Sequence, residues 1–182
     1  MTNLDEKSSD VIFLDTETTG LDPETDEILQ ISVVNNNGEI LLNSYIRPEH
    51  KTEWTAAEAI NHISPQMVKN APVISDIVPL ISEIMSRAKV AVAYNIDFDW
   101  CFIAKALEKC NFDFENNTPE LKCCMKKFAE IYGEWNTERQ DYQWQKLSKA
   151  ASYYNIPWRG QAHGSLADTL MCRDVWNKIY DD

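Results

Sequence analysis

Basic residues are scarce in this chain. Seventeen lysines and arginines stand against 29 aspartates and glutamates over 182 residues, a net charge of −12. Neutralised phosphates supply most non-specific affinity for long nucleic acid, so the balance argues against a broad basic gripping face. Long apolar runs are missing too: none approaches the ~20 residues that cross a bilayer. The opening stretch, Met1 to Asp10, is polar and acidic and lacks the apolar centre of a secretory signal. Residues 1–9 therefore read as a frayed lead-in. The five cysteines (Cys101, Cys110, Cys123, Cys124 and Cys172) are odd in number and contain no Cys-x-x-Cys pair. That argues against a disulfide framework and a zinc site, and free thiols in a reducing cytoplasm are the expected state. The three histidines, His50, His62 and His163, do not cluster in sequence. There is no internal repeat and no composition break, so residues 10–182 are expected to form one domain.

What is present begins with Val11-Ile12-Phe13-Leu14, a short β-branched and aromatic run that predicts a buried strand. Glu27 to Asn35 predicts a second strand, Asn35-Asn36-Asn37-Gly38 a hairpin turn, and Ile40 to Ile46 a third strand ending before Pro48. Thr55-Ala56-Ala57-Glu58 has capping-box spacing for a short helix. Ser64-Pro65 reads as an N-cap followed by proline at the first helical position. Ser75 to Arg87 predicts a helix with Ile77, Leu80, Ile81 and Ile84 on one face and Pro79 in about the first turn. Lys89 to Ala93 is a further buried strand. A helix over Phe98 to Lys109 follows, with Phe98, Phe102, Ala106 and Leu107 on one face. Leu121 to Met125 reads as a last short strand leading into a helix that ends at Gly133. Gly133 to Tyr142 reads as a polar loop. Lys146 to Tyr154 and Ser165 to Tyr180 read as the closing helices. The sum is an α/β fold: one mixed sheet, with a three-strand antiparallel start plus parallel strands, and helices on both faces.

Three acidic stations punctuate this frame. The first is Asp15-Thr16-Glu17-Thr18-Thr19-Gly20, directly after the opening strand. Residues two apart on a strand share a face, so Asp15 and Glu17 aim at one point. Side by side they repel, and a hard divalent cation such as Mg²⁺ or Mn²⁺ relieves that. Gly20 allows a tight turn or a close approach to a ligand. A solvated acidic turn is the plainer alternative. The second station, Asn95-Ile96-Asp97-Phe98-Asp99, follows the strand ending at Ala93, where open α/β sheets bind ligands. Acids in a first helical turn are also favoured by the helix dipole alone. The third is His163-Gly164-Ser165-Leu166-Ala167-Asp168. Ser165-x-x-Asp168 is itself a capping-box pattern, but capping does not need His163, an imidazole that titrates near neutral pH.

Together, Asp15-x-Glu17, Asn95-x-x-Phe98-Asp99-x-x-Phe102 and His163-x-x-x-x-Asp168 resemble the three motifs of the DEDDh 3′–5′ exonucleases. This is the DnaQ-like family of the proofreading epsilon subunit of bacterial DNA polymerase III, with an RNase H-like fold. The motifs stand in the family's order over about 155 residues. The segment Glu58-Ala59-Ile60-Asn61-His62-Ile63-Ser64 also looks like the family's stretch between first and second motifs. The resemblance implies that Asp15, Glu17, Asp99 and Asp168 are the metal-binding carboxylates and His163 the general base. Asp97 is left as an unassigned second acid. Thr18, Gly20 and Leu21, with Asn95 and Phe98, match positions that hold the terminal nucleotide. Two departures stand out: Ser165 replaces the usual alanine, and Tyr94 stands where histidine is common. Neither removes a ligand.

The activity this implies is two-metal hydrolysis. Two divalent ions, Mg²⁺ or Mn²⁺ and about 3.5–4 Å apart, clamp the scissile phosphate. Asp15 is the expected bridge between them, Glu17 and Asp168 complete one site, Asp99 acts partly through water, and His163 takes the proton from the attacking water. The expected product is a nucleoside 5′-monophosphate released from a single-stranded DNA 3′ end, by a free enzyme or one with a polymerase or replication partner. The same motifs serve exoribonucleases and short-oligonucleotide degraders. The fold could also serve as a non-catalytic scaffold, which has no use for four acids and a histidine. Aromatic candidates for base stacking are Tyr94, Trp100, Trp144 and Trp158.

Overall fold

Strand β1, Val11–Thr18, runs through the centre of the sheet and extends well past the apolar run that predicts it. In the computed structural model, which describes residues 10–112, 118–158 and 164–181, its polar end persists because β2 (Ile28–Asn35) pairs with it from Ile12 to Thr18. The register runs antiparallel from Ile12 opposite Asn35 to Thr18 opposite Ile28, with an irregularity between Glu17 and Thr18. Strand β3, Ile40–Tyr45, lies antiparallel outside β2. On the other side β4 (Val90–Ala93) runs parallel to β1, and β5 (Glu120–Cys123) parallel to β4. The order β3-β2-β1-β4-β5 is the mixed sheet expected. The predicted lead-in over residues 1–9 lies outside the described residues.

The length of β4 positions the site. It pairs only with Val11 to Phe13 of β1. The end of β1 carrying Asp15 and Glu17 therefore overhangs its parallel neighbour, which leaves room for side chains from other elements.

Period-two alternation divides β1 between two cores. Ile12 and Leu14 pack with Ile81 and Met85 of α3 (Ile74–Arg87) and with Phe102 and Ile103 of α4 (Ile96–Lys109). Val11 and Phe13 pack on the opposite face. There they meet Phe128 of α5 (Cys124–Tyr132), Ala150 of α6 (Leu147–Tyr153), and Met171, Val175 and Trp176 of α7 (Ser165–Ile179). A third cluster, Leu29, Trp54, Ile63 and Val68, is covered by α1 (Thr55–Asn61) and α2 (Pro65–Val68). None of the described helices is long and apolar enough to cross a membrane.

Several local expectations need correction. Thr55 is the first helical residue of α1, not its cap; Trp54 precedes it and no side chain caps the helix. Pro79 sits inside α3, beyond its first turn; Pro79 and Ser75, whose carbonyl would have received its missing N–H, both face solvent. Leu80 is exposed, and Val78 and Met85 complete the buried face instead. The strand predicted over Leu121 to Met125 ends at Cys123, and Cys124 opens α5. The polar loop over Gly133 to Tyr142 contains a hairpin of β6 (Trp135–Asn136) and β7 (Asp141–Tyr142). Two-residue strands carry no readable periodicity; this pair is held by Trp135 edge-on to Tyr142, ring centroids 5.3 Å apart.

Leu14, fully buried on the central strand, offers the sharpest test of this core. Leu14→Ala is expected to cost about 2–5 kcal/mol. Denaturant unfolding should show a lower midpoint at an unchanged slope.

Candidate active site

Asp15 and Glu17 are half-buried on the same face of β1 as Val11 and Phe13, the face that α7 covers. Asp168 lies in the first turn of α7 and closes the group. One carboxylate oxygen from each of Asp15, Glu17 and Asp168 lies within 4.8 Å of the others. Three hard oxygen donors at that spacing fit a divalent cation, and three unrelieved negative charges do not.

The capping-box reading of Ser165-x-x-Asp168 fails. Gly164 occupies the N-cap position, its carbonyl accepts the Asp168 N–H at 3.1 Å, and no side chain caps the helix. Ser165 is fully buried, and its hydroxyl meets the Ser32 hydroxyl on β2 at 2.5 Å. Ser32 is the register partner of Asp15. Two small hydroxyl residues thus let the start of α7 approach the sheet beside the acids. Ser165, a departure from the family pattern, has here a structural partner that sequence reading gave no means to find.

Asp99 arrives by a different route. Beyond the end of β4, the Thr16 N–H donates to Asp99 Oδ1 at 2.9 Å, and the Thr16 hydroxyl donates to the same oxygen at 2.8 Å. The side chain of α4 therefore takes the place a longer β4 would fill. Asp99 is buried beside the other three acids, with one oxygen already committed to Thr16. Asp97 faces the other way, exposed and ion-paired with Lys126 at 2.5 Å. That accounts for the second acid of this station as a surface charge.

Burial dominates the electrostatics. Desolvation, then the charges of Asp99, Glu17 and Asp168, hold the Asp15 carboxyl well above the ordinary range. Burial, followed by repulsion from Asp168 and Asp99, pushes Glu17 up to about 8, with Asn61 acting in the opposite direction. Burial pushes Asp99 up to about 7 against the two Thr16 hydrogen bonds. Asn61, buried at the end of α1, donates to the Thr18 carbonyl at 3.2 Å and accepts the Ile63 N–H at 3.0 Å. It lies inside the stretch that resembles the family, yet its side-chain bonds become visible only in the fold.

The expected nucleotide contacts distribute unevenly. Thr18 is buried and its hydroxyl donates to the Gly20 carbonyl at 2.5 Å. Asp26 crowds Gly20 so closely that an added Cβ would lie 2.3 Å from its Oδ2. Asp26 is itself held by the Thr19 hydroxyl, the Asp22 N–H and Lys51 Nζ, at 3.1, 3.1 and 3.0 Å. Glycine is thus required by close approach, and the braced turn presents Leu21 83% exposed. Asn95 occupies the N-cap position of α4. Phe98 is half-buried, its ring centroid 5.1 Å from that of Phe102. Of the stacking candidates, Tyr94, Trp100 and Trp158 pack against the cores, and the Tyr94 hydroxyl donates to the Gln145 carbonyl at 2.7 Å. Trp144 remains exposed. His163 lies outside the described residues.

A mixed sheet whose central strand presents an Asp-x-Glu pair to acids from two flanking helices defines a DEDD-type exonuclease. The exonuclease family model of RNase T matches residues 12–175. The chain is 34% identical over 167 residues to an uncharacterized exonuclease, CP81, of Escherichia phage 186, covering 89% of this chain and 84% of that one. It is 35% identical over 105 residues to the 3′-5′ exonuclease DinG of Staphylococcus haemolyticus, covering 56% of this chain but only 11% of DinG. E. coli exonuclease I, solved with a dA16 oligonucleotide, superposes with a TM-score of 0.74 at 15% identity; the match covers 94% of this chain and 42% of that one. At that identity the likeness speaks for the fold. The chain belongs to the RNase T and DnaQ-like exonuclease family, and the enzyme class is 3′–5′ exonuclease.

The raised carboxyls make a prediction for the metal-free protein. In the unfolded chain these groups ionise near pH 4, whereas in the folded chain Glu17 and Asp99 keep their protons up to about 8 and 7. The unfolded state therefore releases protons first, and stability falls as pH rises from about 4 to about 8. In chelator, melting is expected at lower temperature at pH 8 than at pH 6. Asp15→Asn should flatten that dependence and raise the pH 8 melting point by about 2–4 °C for each kcal/mol relieved.

Proposed function

We propose that the chain removes nucleoside 5′-monophosphates from the 3′ ends of single-stranded DNA, and that residues 10–182 act as one exonuclease domain. The observation that carries this reading is the convergence of Asp15, Glu17 and Asp168 oxygens within 4.8 Å, with buried Asp99 alongside. Asp15, Glu17 and Asp168 would hold divalent cations, Mg²⁺ or Mn²⁺, with Asp99 contributing through its oxygen not bonded to Thr16. When bound, such ions polarise the phosphodiester and lower the pKa of water.

The remaining work falls to side chains. His163 accepts the proton of the attacking water and must be neutral to do so, so activity should fall as falling pH protonates it. The Thr18–Leu21 turn, Asn95 and Phe98 seat the terminal nucleotide, with Leu21 as an apolar surface for the last base. A cavity of about 250 Å³ is lined by Asn61, which bonds the Thr18 carbonyl, and by His62, Met67 and Leu166. The net charge of −12 suits an enzyme that does not grip its strand through a broad basic face. E. coli exonuclease I was solved with oligonucleotides, which supports single-stranded DNA as the first substrate to test. The likeness to an editing subunit makes a polymerase the partner class to test by co-purification.

The test is a paired degradation assay on 5′-labelled single strands of DNA and RNA of one sequence, with Mg²⁺, Mn²⁺ or chelator. A metal-dependent ladder shortening from the 3′ end, faster on DNA and absent in Asp15→Asn, is the expected result. Faster loss of RNA would replace the substrate. No ladder on either strand from folded protein would overturn the reading. His163→Ala should lose about 10²–10⁴-fold in rate with metal affinity unchanged by calorimetry; normal turnover from pH 6 to 8 would remove His163 from the mechanism.

A further inference from the structure

The acidity of the chain is not evenly spread. Residues 121–158 carry six lysines and arginines against four aspartates and glutamates. That stretch is net +2, which leaves −14 on the rest. Three of its cations are neutralised by neighbours: Lys122 by Glu120, Lys126 by Asp97 and Lys127 by Glu130. The other three, Arg139, Lys146 and Lys149, have no ion-pair partner among the described residues and gather at the β6–β7 hairpin and the start of α6. Arg139 lies over the Trp144 ring, 5.0 Å from its centroid, and Lys149 over the Tyr132 ring at 5.4 Å. Trp144 is 40% exposed and Trp135, on the facing strand of the hairpin, 51%. An open cleft of about 640 Å³ is lined by Trp144, Lys146, Ser148, Lys149 and Ser152, together with the carboxylate of Glu134.

This face is tied to the end of the sheet that bears the acids. The Tyr94 hydroxyl holds the Gln145 carbonyl at 2.7 Å, and Tyr94 directly precedes Asn95 and the helix carrying Asp99. On the other side α6 packs against α7, which carries Asp168. Exposed aromatic rings interleaved with uncompensated cations are the combination that binds unpaired strands: bases stack on the rings and phosphates meet the cations. An apolar protein partner would need neither the three charges nor the hydroxyl-lined cleft. We propose that the Trp144 face is a second binding site for single-stranded DNA, holding nucleotides upstream of the scissile bond. Trp144 stacks a base, and Arg139, Lys146 and Lys149 meet phosphates. This rests on the exonuclease reading above.

The test separates affinity for a long strand from chemistry on a short one. Binding of fluorescein-labelled dT15 is measured by anisotropy in the Asp15→Asn background at several salt concentrations. Hydrolysis of the p-nitrophenyl ester of thymidine 5′-monophosphate, too short to reach the second site, is measured in otherwise unchanged protein. Trp144→Ala is expected to weaken dT15 binding about 5- to 100-fold, and Trp144→Phe, which keeps a ring, to recover most of it. Lys146→Ala with Lys149→Ala, both exposed, should lower the slope of log affinity against log salt by about 1–1.5. Ester turnover should keep its rate in all three. Wild-type dT15 affinity and salt slope in the charge variant, with ester hydrolysis intact, would overturn the second site alone. A wild-type protein that hydrolyses neither ester nor oligonucleotide would overturn the exonuclease reading and this site with it.

Discussion

Holding four carboxyl groups together in a half-buried space is the constraint around which this structure is arranged. Burial holds the Asp15, Glu17 and Asp99 carboxyls above their ordinary range, and at Asp15 and Glu17 the neighbouring charges add to it. The group persists because each acid is placed by an element with independent reasons to be where it is. Asp15 and Glu17 belong to a strand whose other residues are core. Asp99 comes from the helix that packs Phe102 and Ile103 beneath that strand. Asp168 comes from the helix whose Met171, Val175 and Trp176 seal the opposite face. Packing on both sides of the sheet, not attraction among the acids, brings them together, and a hard cation is the natural relief for the cost that remains.

Small geometric choices decide whether those elements meet. A β4 one turn of pleat longer would pair with Thr16 and exclude Asp99; as it is, Thr16 offers Asp99 two donors. Bulkier residues at Ser32 and Ser165, whose hydroxyls touch, would push α7 off the sheet and carry Asp168 with it. Asp26 braces the turn after β1 by filling the space beside Gly20. These residues form a scaffold around the acids.

Much of the frame was legible. The apolar runs marked β1, β2, β3 and β4 because buried strands leave short β-branched segments, and the helices α3 and α4 showed in their apolar spacing. The hairpin of β6 and β7 did not, because two-residue strands are too short to show alternation. Capping-box spacing at Thr55 and Ser165 misleads for a related reason. A hydroxyl three residues before an acid is a statement about possibility, and at Ser165 a tertiary partner, Ser32, competes for the hydroxyl. Helical spacing puts Leu80 on the apolar face, but Val78 and Met85 fill that place and Leu80 stays exposed.

By itself the sequence determined that Asp15 and Glu17 share one face, since alternation along a strand is a local property of the backbone. It also determined the order of the acidic stations and the resemblance that their order carries. Only the tertiary structure decided that Asp168 closes on the pair to within 4.8 Å, that Asp97 is spent on an ion pair with Lys126, and that Ser32, Thr16 and Asn61 hold the surroundings. It alone sets Arg139 over Trp144 and Lys149 over Tyr132, with Lys146 in the same cleft as Trp144 and Lys149, in a chain of net charge −12. Separations of up to 153 residues along the chain, from Asp15 to Asp168, are bridged by packing of apolar faces, and packing distances are not written in any local pattern.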